Sequence, residues 1–533
     1  MKEICENKIR RPAKKIPLTK QKLFSFDKLK STKKKATARN PSFINKNSDD
    51  IFIGDISLRK YLNNTGMGWV INLKDILQSS DISVFIKKYQ TKGRKAIHPQ
   101  TILGLIVYGI LMRQSSLREL EGLANRDIGA WWICGGVRPD HSTIGKFINL
   151  HSEALSEDYF VSLTKELVTK LKIKSNDCAA DGTVIEAASS RYKLIKAEAA
   201  HLTSEKMENE AKAKPEDKNL QIKAEKAKKV SEIVRQRQVK RKAKGRSAEK
   251  TFVLPEEPDA PLQKLKNGTC RPAYQPSVTV NQNKFIVGQH VDPTSESAAI
   301  QPMLDQHKEI YNALPQCMLL DAGYHSFFIL SLFVGLDIDI LCPQGRVDRD
   351  NKWEKRPGNK LFDKSKFIYD EKQDIYVCPE KKELEFSMRM TKERPYREYF
   401  CKVCSECPSR SRCTKSQKGR TVKRYESDPF KEGMLEVFKQ KKARKKYRQR
   451  KAIVEPVFAE LKERQGLTRF RTRGLKKVKT EFSLHCIAYN LKRAISLGGG
   501  LYLFIFYCQQ LTADNFGKKK QSYVFGAILY FSE

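Results

Sequence analysis

Asn176-Asp177-Cys178-Ala179-Ala180-Asp181-Gly182-Thr183-Val184-Ile185 is a short apolar run interrupted by an acid. A carboxylate inside an apolar strand is costly unless something pairs with it, so Asp181 asks for a partner. Downstream the pattern turns to period two, with Ser277-Val278-Thr279-Val280, a turn through 281–284, and Phe285-Ile286-Val287-Gly288-Gln289-His290-Val291, which together predict a β-hairpin. A helix over about 295–311 then leads to Met318-Leu319-Leu320-Asp321, a buried-type strand that again ends on an acid. Another helix (326–334) and another strand (337–341) follow. After about 100 turn-rich residues comes a basic helix beginning near Arg444 and carrying Glu455.

Without its insertions, this order is strand with Asp181, hairpin, helix, strand with Asp321, helix, strand, final helix with Glu455. It predicts an α/β fold: an RNase H-like mixed-sheet catalytic core with two insertions, preceded by an α-helical DNA-binding domain. The expected boundaries are a basic arm at 1–50, the helical domain at 51–165 and the catalytic domain at 170–495. A charged helical insertion is placed at 186–250, a Cys-containing insertion at 343–440 and an atypical tail at 496–533. Adjacent parallel strands bring acids at their ends together, and the last helix packs across the same edge. Converging Asp181, Asp321 and Glu455 would bind two divalent metals about 4 Å apart, one activating the nucleophile and one stabilising the leaving oxygen. Oxygen-only ligands favour Mg2+ or Mn2+. Glu460 and Glu463 share the helix of Glu455 and compete for its role. Glu186 is read as a solvated side chain or an auxiliary acid.

Composition supports the same direction. The chain has 533 residues, 102 Lys+Arg against 61 Asp+Glu and net charge +41, with 40% hydrophobic residues. That apolar share is enough for a sizeable core and excludes wholesale disorder. The charge asks for a polyanion, with nucleic acid first and an anionic membrane surface second. Insertion into a membrane is not expected, because the most apolar stretch, 497–508, is shorter than the about 20 residues needed to span a bilayer. The start MKEICENKIR has no apolar signal region, so the expected location is the cytoplasm. Residues 1–40 hold 14 basic and 3 acidic residues without hydrophobic period and read as a flexible basic arm or a solubilising tail. Residues 439–479 hold 17 and 3, interleaved with Ile453, Val457 and Leu461 at helical spacing, so a folded element carries this charge.

Between these windows, 51–160 is helical in pattern. His98-Pro99 opens a helix, and Ser116 with Glu119 predicts a capping box. Helix, turn at Gly135-Gly136 and short helix suggest a DNA-docking helix-turn-helix, with a plain bundle as the alternative. Residues 186–250 are nearly all Lys, Glu, Ala, Gln and Arg, broken at Lys214-Pro215, and predict an exposed helical arm. Cys401, Cys404, Cys407 and Cys413 form a C-x2-C-x2-C-x5-C run able to build a tetrahedral thiolate site, with reduced, metal-free cysteines as the alternative.

Over residues 95–495 the sequence resembles the DDE transposases of bacterial insertion sequences. The resemblance is carried by Asp181-Gly182-Thr183, Leu320-Asp321-Ala322-Gly323-Tyr324, residues 450–458 (RKAIVEPVF), residues 466–471 (GLTRFR) and residues 488–493 (AYNLKR). His98-Pro99, Ser115-Ser116-Leu117-Arg118 and residues 139–144 (PDHSTI) are similar to the helical N-terminal domain of such enzymes. The family's Tyr, Arg, Glu, Lys pattern is met by Tyr447, Glu455 and Lys462, with Lys451 where the family has Arg and with Arg448 and Arg450 nearby. Pro456 removes a backbone donor beside Glu455, and a kink or restart of the helix is expected there.

The resemblance implies cleavage at the ends of a DNA element by water activated at Asp181, Asp321 and Glu455, followed by attack of the freed 3′-hydroxyl on target DNA. It implies DNA contacts by Tyr447, Arg448, Arg450, Lys451, Lys462, Arg469 and Arg471. It also implies double-stranded DNA as partner, a homodimer during synapsis of two ends, and a nucleoid-associated cytoplasmic protein. Similar transposases place a cysteine group in the second insertion, and Cys378 joins Cys404, Cys407 and Cys413 as the implied structural Zn2+ set, with Cys401 as competitor. A decayed or domesticated DNA-binding protein, and an RNase H-like nuclease that does not join strands, are the alternatives.

Overall fold

The computed structural model describes residues 41–498 except 92–93, 244, 266, 345–361, 363 and 392–394. The N-terminal basic arm to residue 40 and the tail from residue 499 lie outside the described residues. About half of the chain is helical, and several sheets make it a mixed α/β fold.

After a short helical segment at Leu58–Asn64 come helices α1 (Gly68–Ser79), α2 (Pro99–Leu111), α3 (Leu117–Arg126), α4 (Ile128–Cys134), α5 (His141–Leu150) and α6 (Asp158–Lys170). Pro99 occupies the first turn of α2, where its missing N–H costs nothing. Ser116 and Glu119 close the expected capping box on α3. Asp140 caps α5 by accepting the Thr143 N–H at 2.6 Å. Residues 135–140 link α4 to α5, longer than the three- to four-residue turn of a tight helix-turn-helix.

Next come β1 (Asp177–Gly182), the hairpin helices α7 (Ala197–Ala213) and α8 (Lys218–Ala243), β2 (Cys270–Asn281), β3 (Ile286–Asp292), α9 (Ile300–Tyr311), β4 (Cys317–Leu319), α10 (Phe327–Gly335) and β5 (Asp339–Leu341). Their sheet runs β3-β2-β1-β4-β5. The β1-β2-β3 pairs are antiparallel, and β1-β4-β5 are parallel. The helical arm falls between β1 and β2 and breaks at Lys214-Pro215, as its composition predicts. Asp337 adopts φ 55 in the turn before β5, so the strand expected over 337–341 begins only at Asp339.

A second sheet, β6 (Ile368–Asp370), β7 (Ile375–Val377), β8 (Glu383–Met390), β9 (Tyr396–Phe400) and β10 (Thr421–Tyr425), is antiparallel throughout. It has its own small core around Tyr376, Leu384 and Tyr399. The chain then returns through α11 (Asp428–Lys439), α12 (Lys441–Ala459) and α13 (Leu475–Gly498).

The N-terminal helices and the first sheet share one hydrophobic core, joined through α13. Asn490 fixes that joint by accepting the Ile286 N–H at 3.0 Å and donating to the Ile286 carbonyl at 2.8 Å, so the first residue of β3 is satisfied by a side chain. On α12, Val454 and Val457 are fully buried, each contributing about 1.5–3 kcal/mol, which holds this strongly basic helix on the core. The helix does not restart at Pro456: α12 runs through it to Ala459, and a π turn over Glu460–Arg464 follows. The Gln465 N–H bonds the Glu460 carbonyl at 2.9 Å in that turn, so Glu455 and Lys462 are not related by seven steps of regular α-helix.

Candidate active site

Strand register places the first two acids. In the parallel β1-β4 pair Ala179 is opposite Leu319, and two residues further along each chain stand Asp181 and Asp321. Equal offsets at the carboxyl ends of neighbouring strands put both acids at the same edge of the sheet. Asp321 caps the turn at 322–324 by accepting the Gly323 N–H at 2.8 Å, which fixes its backbone.

Helix α12 crosses this edge. Lys446 Nζ lies 2.8 Å from Asp177 at the start of β1. One turn on, Arg450, 8% exposed, brings Nη2 to 3.0 Å from Asp181 and 4.0 Å from Asp321. These are ionic contacts without hydrogen-bond alignment, and Nε of Arg450 also finds no acceptor among the described residues. Lys462, inside the π turn, donates to the Thr183 hydroxyl. The helix carrying Glu455 thus meets the Asp181-Gly182-Thr183 segment on both sides of it. The Glu455 side chain is exposed and makes no hydrogen bond or ion pair among the described residues. Its rivals differ: Glu460 is held by Lys492 at 2.6 Å and Arg464 at 3.4 Å, and Glu463 is exposed.

A further acid joins the pair. Glu296, in the loop between β3 and α9, is half-buried, and its carboxyl is pushed up to about 7 by burial first and then by the charges of Asp181 and Asp321, with Arg450 opposing. The reading of the sequence missed it, because a glutamate in the first turn of a helix looks like an ordinary partner of the helix dipole. Tyr324 is fully buried beside the same group, and burial followed by the three carboxylates raises its hydroxyl well above the usual tyrosine range, so it remains a neutral phenol.

As placed, no group of three or more His, Cys, Asp or Glu side chains among the described residues is arranged to hold a metal ion. The donor chemistry nevertheless fits a hard divalent cation: the carboxylates repel one another, and the group held between Asp181 and Asp321 is itself cationic.

The other basic candidates divide in two. Arg448 and Lys451 are exposed on α12. Arg469 instead donates to the Ala187 and Ala188 carbonyls at 3.0 and 2.5 Å, and Arg471 pairs with Glu119 at 2.7 Å. Tyr447 packs edge-on to Phe438 at 5.3 Å. In the second sheet Cys378, Cys401, Cys404, Cys407 and Cys413 line one cavity. Backbone N–H groups point at two of these sulfurs, Lys382 to Cys378 at 3.2 Å and Arg420 to Cys404 at 3.5 Å. Burial pushes the Cys401 thiol up to about 11, with Cys404 and Cys378 adding to it.

Comparison with known families gives two matches. The family described as Transposase DDE domain matches residues 377–495, which include Glu455, Lys462 and the cysteine cavity. The family described as Transposase domain (DUF772) matches residues 67–150, from α1 to α5. Asp181 and Asp321 lie outside both matched segments. No curated protein matches the chain. The two matches, one over the helical N-terminal unit and one over the segment carrying Glu455, indicate that the chain is an insertion-sequence transposase of the DDE type.

Proposed function

We propose that this transposase binds the terminal repeats of its own mobile DNA element and catalyses metal-dependent strand cleavage followed by strand transfer, on an RNase H-like core. The observation that carries the reading is the approach of Asp181 and Asp321, from adjacent parallel strand ends, to Arg450 on the helix that also bears Glu455 and leads into the π turn with Lys462. The β3-β2-β1-β4-β5 order, with three antiparallel strands and two parallel ones, supports the RNase H-like assignment.

Asp181, Asp321 and Glu455 would hold Mg2+ or Mn2+, which supplies the charge that activates water and balances the departing 3′ oxygen. The chain's own residues do the rest. Arg450, between the two aspartates, holds them in place. Lys462, beside Thr183, is within reach of a phosphate lying along the edge of the sheet, and exposed Arg448 and Lys451 extend that positive track along α12. Arg469 and Arg471 order the loop that follows the π turn, and through it the DNA-facing surface. Bringing two element ends together calls for two copies of the chain in the reacting complex. The five clustered thiols suit a structural Zn2+ that ties β7 to the loop between β9 and β10.

The test is incubation with Mg2+ and DNA carrying the element's terminal repeats. Transposition chemistry gives 3′-hydroxyl nicks at the repeats and joined products. Nicks without joining would make the protein a nuclease, and binding without nicks would leave it a DNA-binding protein.

A further inference from the structure

Gly182 is the residue of the Asp181-Gly182-Thr183 segment whose identity no backbone requirement explains. It lies inside β1, opposite Ser277, and its φ is not positive. Its reason is steric. A Cβ built at position 182 would stand 2.5 Å from Cγ of Glu296, 2.6 Å from Cδ and 2.8 Å from Oε1. The glutamate therefore lays its carboxylate against the backbone of β1, immediately beside Asp181.

The loop that delivers it is fixed. Asp292, at the end of β3, accepts the N–H groups of Thr294 and Ser295 at 2.7 Å each, and Glu296 follows directly. The Glu296 carbonyl accepts the Ala299 N–H at 3.1 Å, but among the described residues its carboxylate makes no hydrogen bond or ion pair, although the Arg450 guanidinium, 8% exposed, is directed into the same cluster with its Nε unsatisfied. A half-buried carboxylate with no direct hydrogen-bond or ion-pair partner is costly when charged, and a ligand there would justify its position. Packing alone would be served by an apolar side chain of similar length.

We infer that Glu296 is a metal-ligating carboxylate of this site, acting with Asp181 and Asp321. The inference rests on the metal-dependent reading proposed above and adds to it a residue from outside the Asp, Asp, Glu series. Glu296 enters from the loop between β3 and α9, on a different element from Glu455, so the two glutamates can approach the cations from different directions. Small size at position 182 is then a requirement of the metal centre.

The experiment is Mn2+ binding to the full-length protein, followed by electron paramagnetic resonance and by titration calorimetry, for wild type, Glu296→Gln, Glu296→Ala and Asp181→Asn. Circular dichroism and melting in chelator confirm that each variant is folded. The glutamine is nearly isosteric and keeps the packing on Gly182, so a purely structural glutamate would leave Mn2+ affinity unchanged. The expected result is a loss of roughly 10-fold or more for both Glu296 variants, at least the scale seen when a supporting partner of a metal site is removed. Wild-type affinity in Glu296→Gln together with loss in Asp181→Asn overturns the role of Glu296 and leaves the metal centre standing. Wild-type affinity in Asp181→Asn overturns the metal centre, and the inference with it.

Discussion

The carboxylates around Arg450 and the thiols of the second sheet are both gatherings of ligand-type side chains, held together by opposite means. Asp181, Asp321 and Glu296 come from distant parts of the chain, the first two meeting through strand register and the third entering from a loop, and they repel one another once charged. The cysteines come mostly from one short segment, and burial keeps Cys401 and Cys413 as neutral thiols that pack like apolar groups. The main core with its α12 helix imposes the first cluster, whereas the thiols help to make the small core that contains them. Losing a carboxylate should therefore cost chemistry more than stability, and losing a thiol should do the reverse.

Arg450→Met should break this contrast most strongly, since it removes the cation from the acid cluster. Loss of a principal electrostatic contact should lower end cleavage about 10²–10³-fold. Stripping one partner from a buried ion pair costs about 3–5 kcal/mol, less here because Asp181 and Asp321 have side chains 22% and 40% exposed. Denaturant unfolding and single-turnover cleavage measure the two losses separately.

Paired Cys404→Ser and Cys407→Ser substitutions address the other cluster. If Zn2+ ties the cavity, metal analysis of the purified protein finds it in wild type and not in the variant. Limited proteolysis should then cut the 368–425 sheet first, while Mn2+ binding at the carboxylates persists.

A smaller effect concerns pH. Glu296 is raised from 4.5 to about 7 in the folded, metal-free protein. Between these values the folded state holds a proton that the unfolded state has released, so stability falls as pH rises from about 4.5 to 7. The full span of the shift is worth about 3 kcal/mol at most, and solvent screening reduces it. Melting in chelator across this window should show the decline in wild type and a flatter profile in Glu296→Gln.

The smallest change is expected for Lys451→Ala, exposed on α12. One lost phosphate contact should lower the slope of log affinity against log salt by about 0.9, with little effect on the cleavage rate of bound DNA.

Much of this could be read from the sequence because it depends on local pattern. The hairpin of β2 and β3, the capping box at Ser116 and Glu119, the break at Lys214-Pro215 and the clustering of the cysteines each rest on a few neighbouring residues. The approach of Asp181 to Asp321 was inferable only through element order, which carries strand adjacency but no side-chain contacts. Glu296 left no local signature: its meaning lies in Gly182, more than a hundred residues away. Arg450 in place of Lys451 as the residue reaching the acids was likewise hidden, since helix phase depends on which face the core selects, here Ile453, Val454 and Val457. The π turn after Ala459 depends on how Leu461 and Gln465 bury, which spacing does not encode.

The most direct test is single-turnover cleavage of DNA bearing the terminal repeats, with Mg2+, by wild type and by Asp181→Asn. The prediction is 3′-hydroxyl nicks at the repeats by wild type, and a rate at least about 10²-fold lower in the variant, which still binds the repeats. Cleavage by Asp181→Asn at the wild-type rate would contradict the assignment of the site.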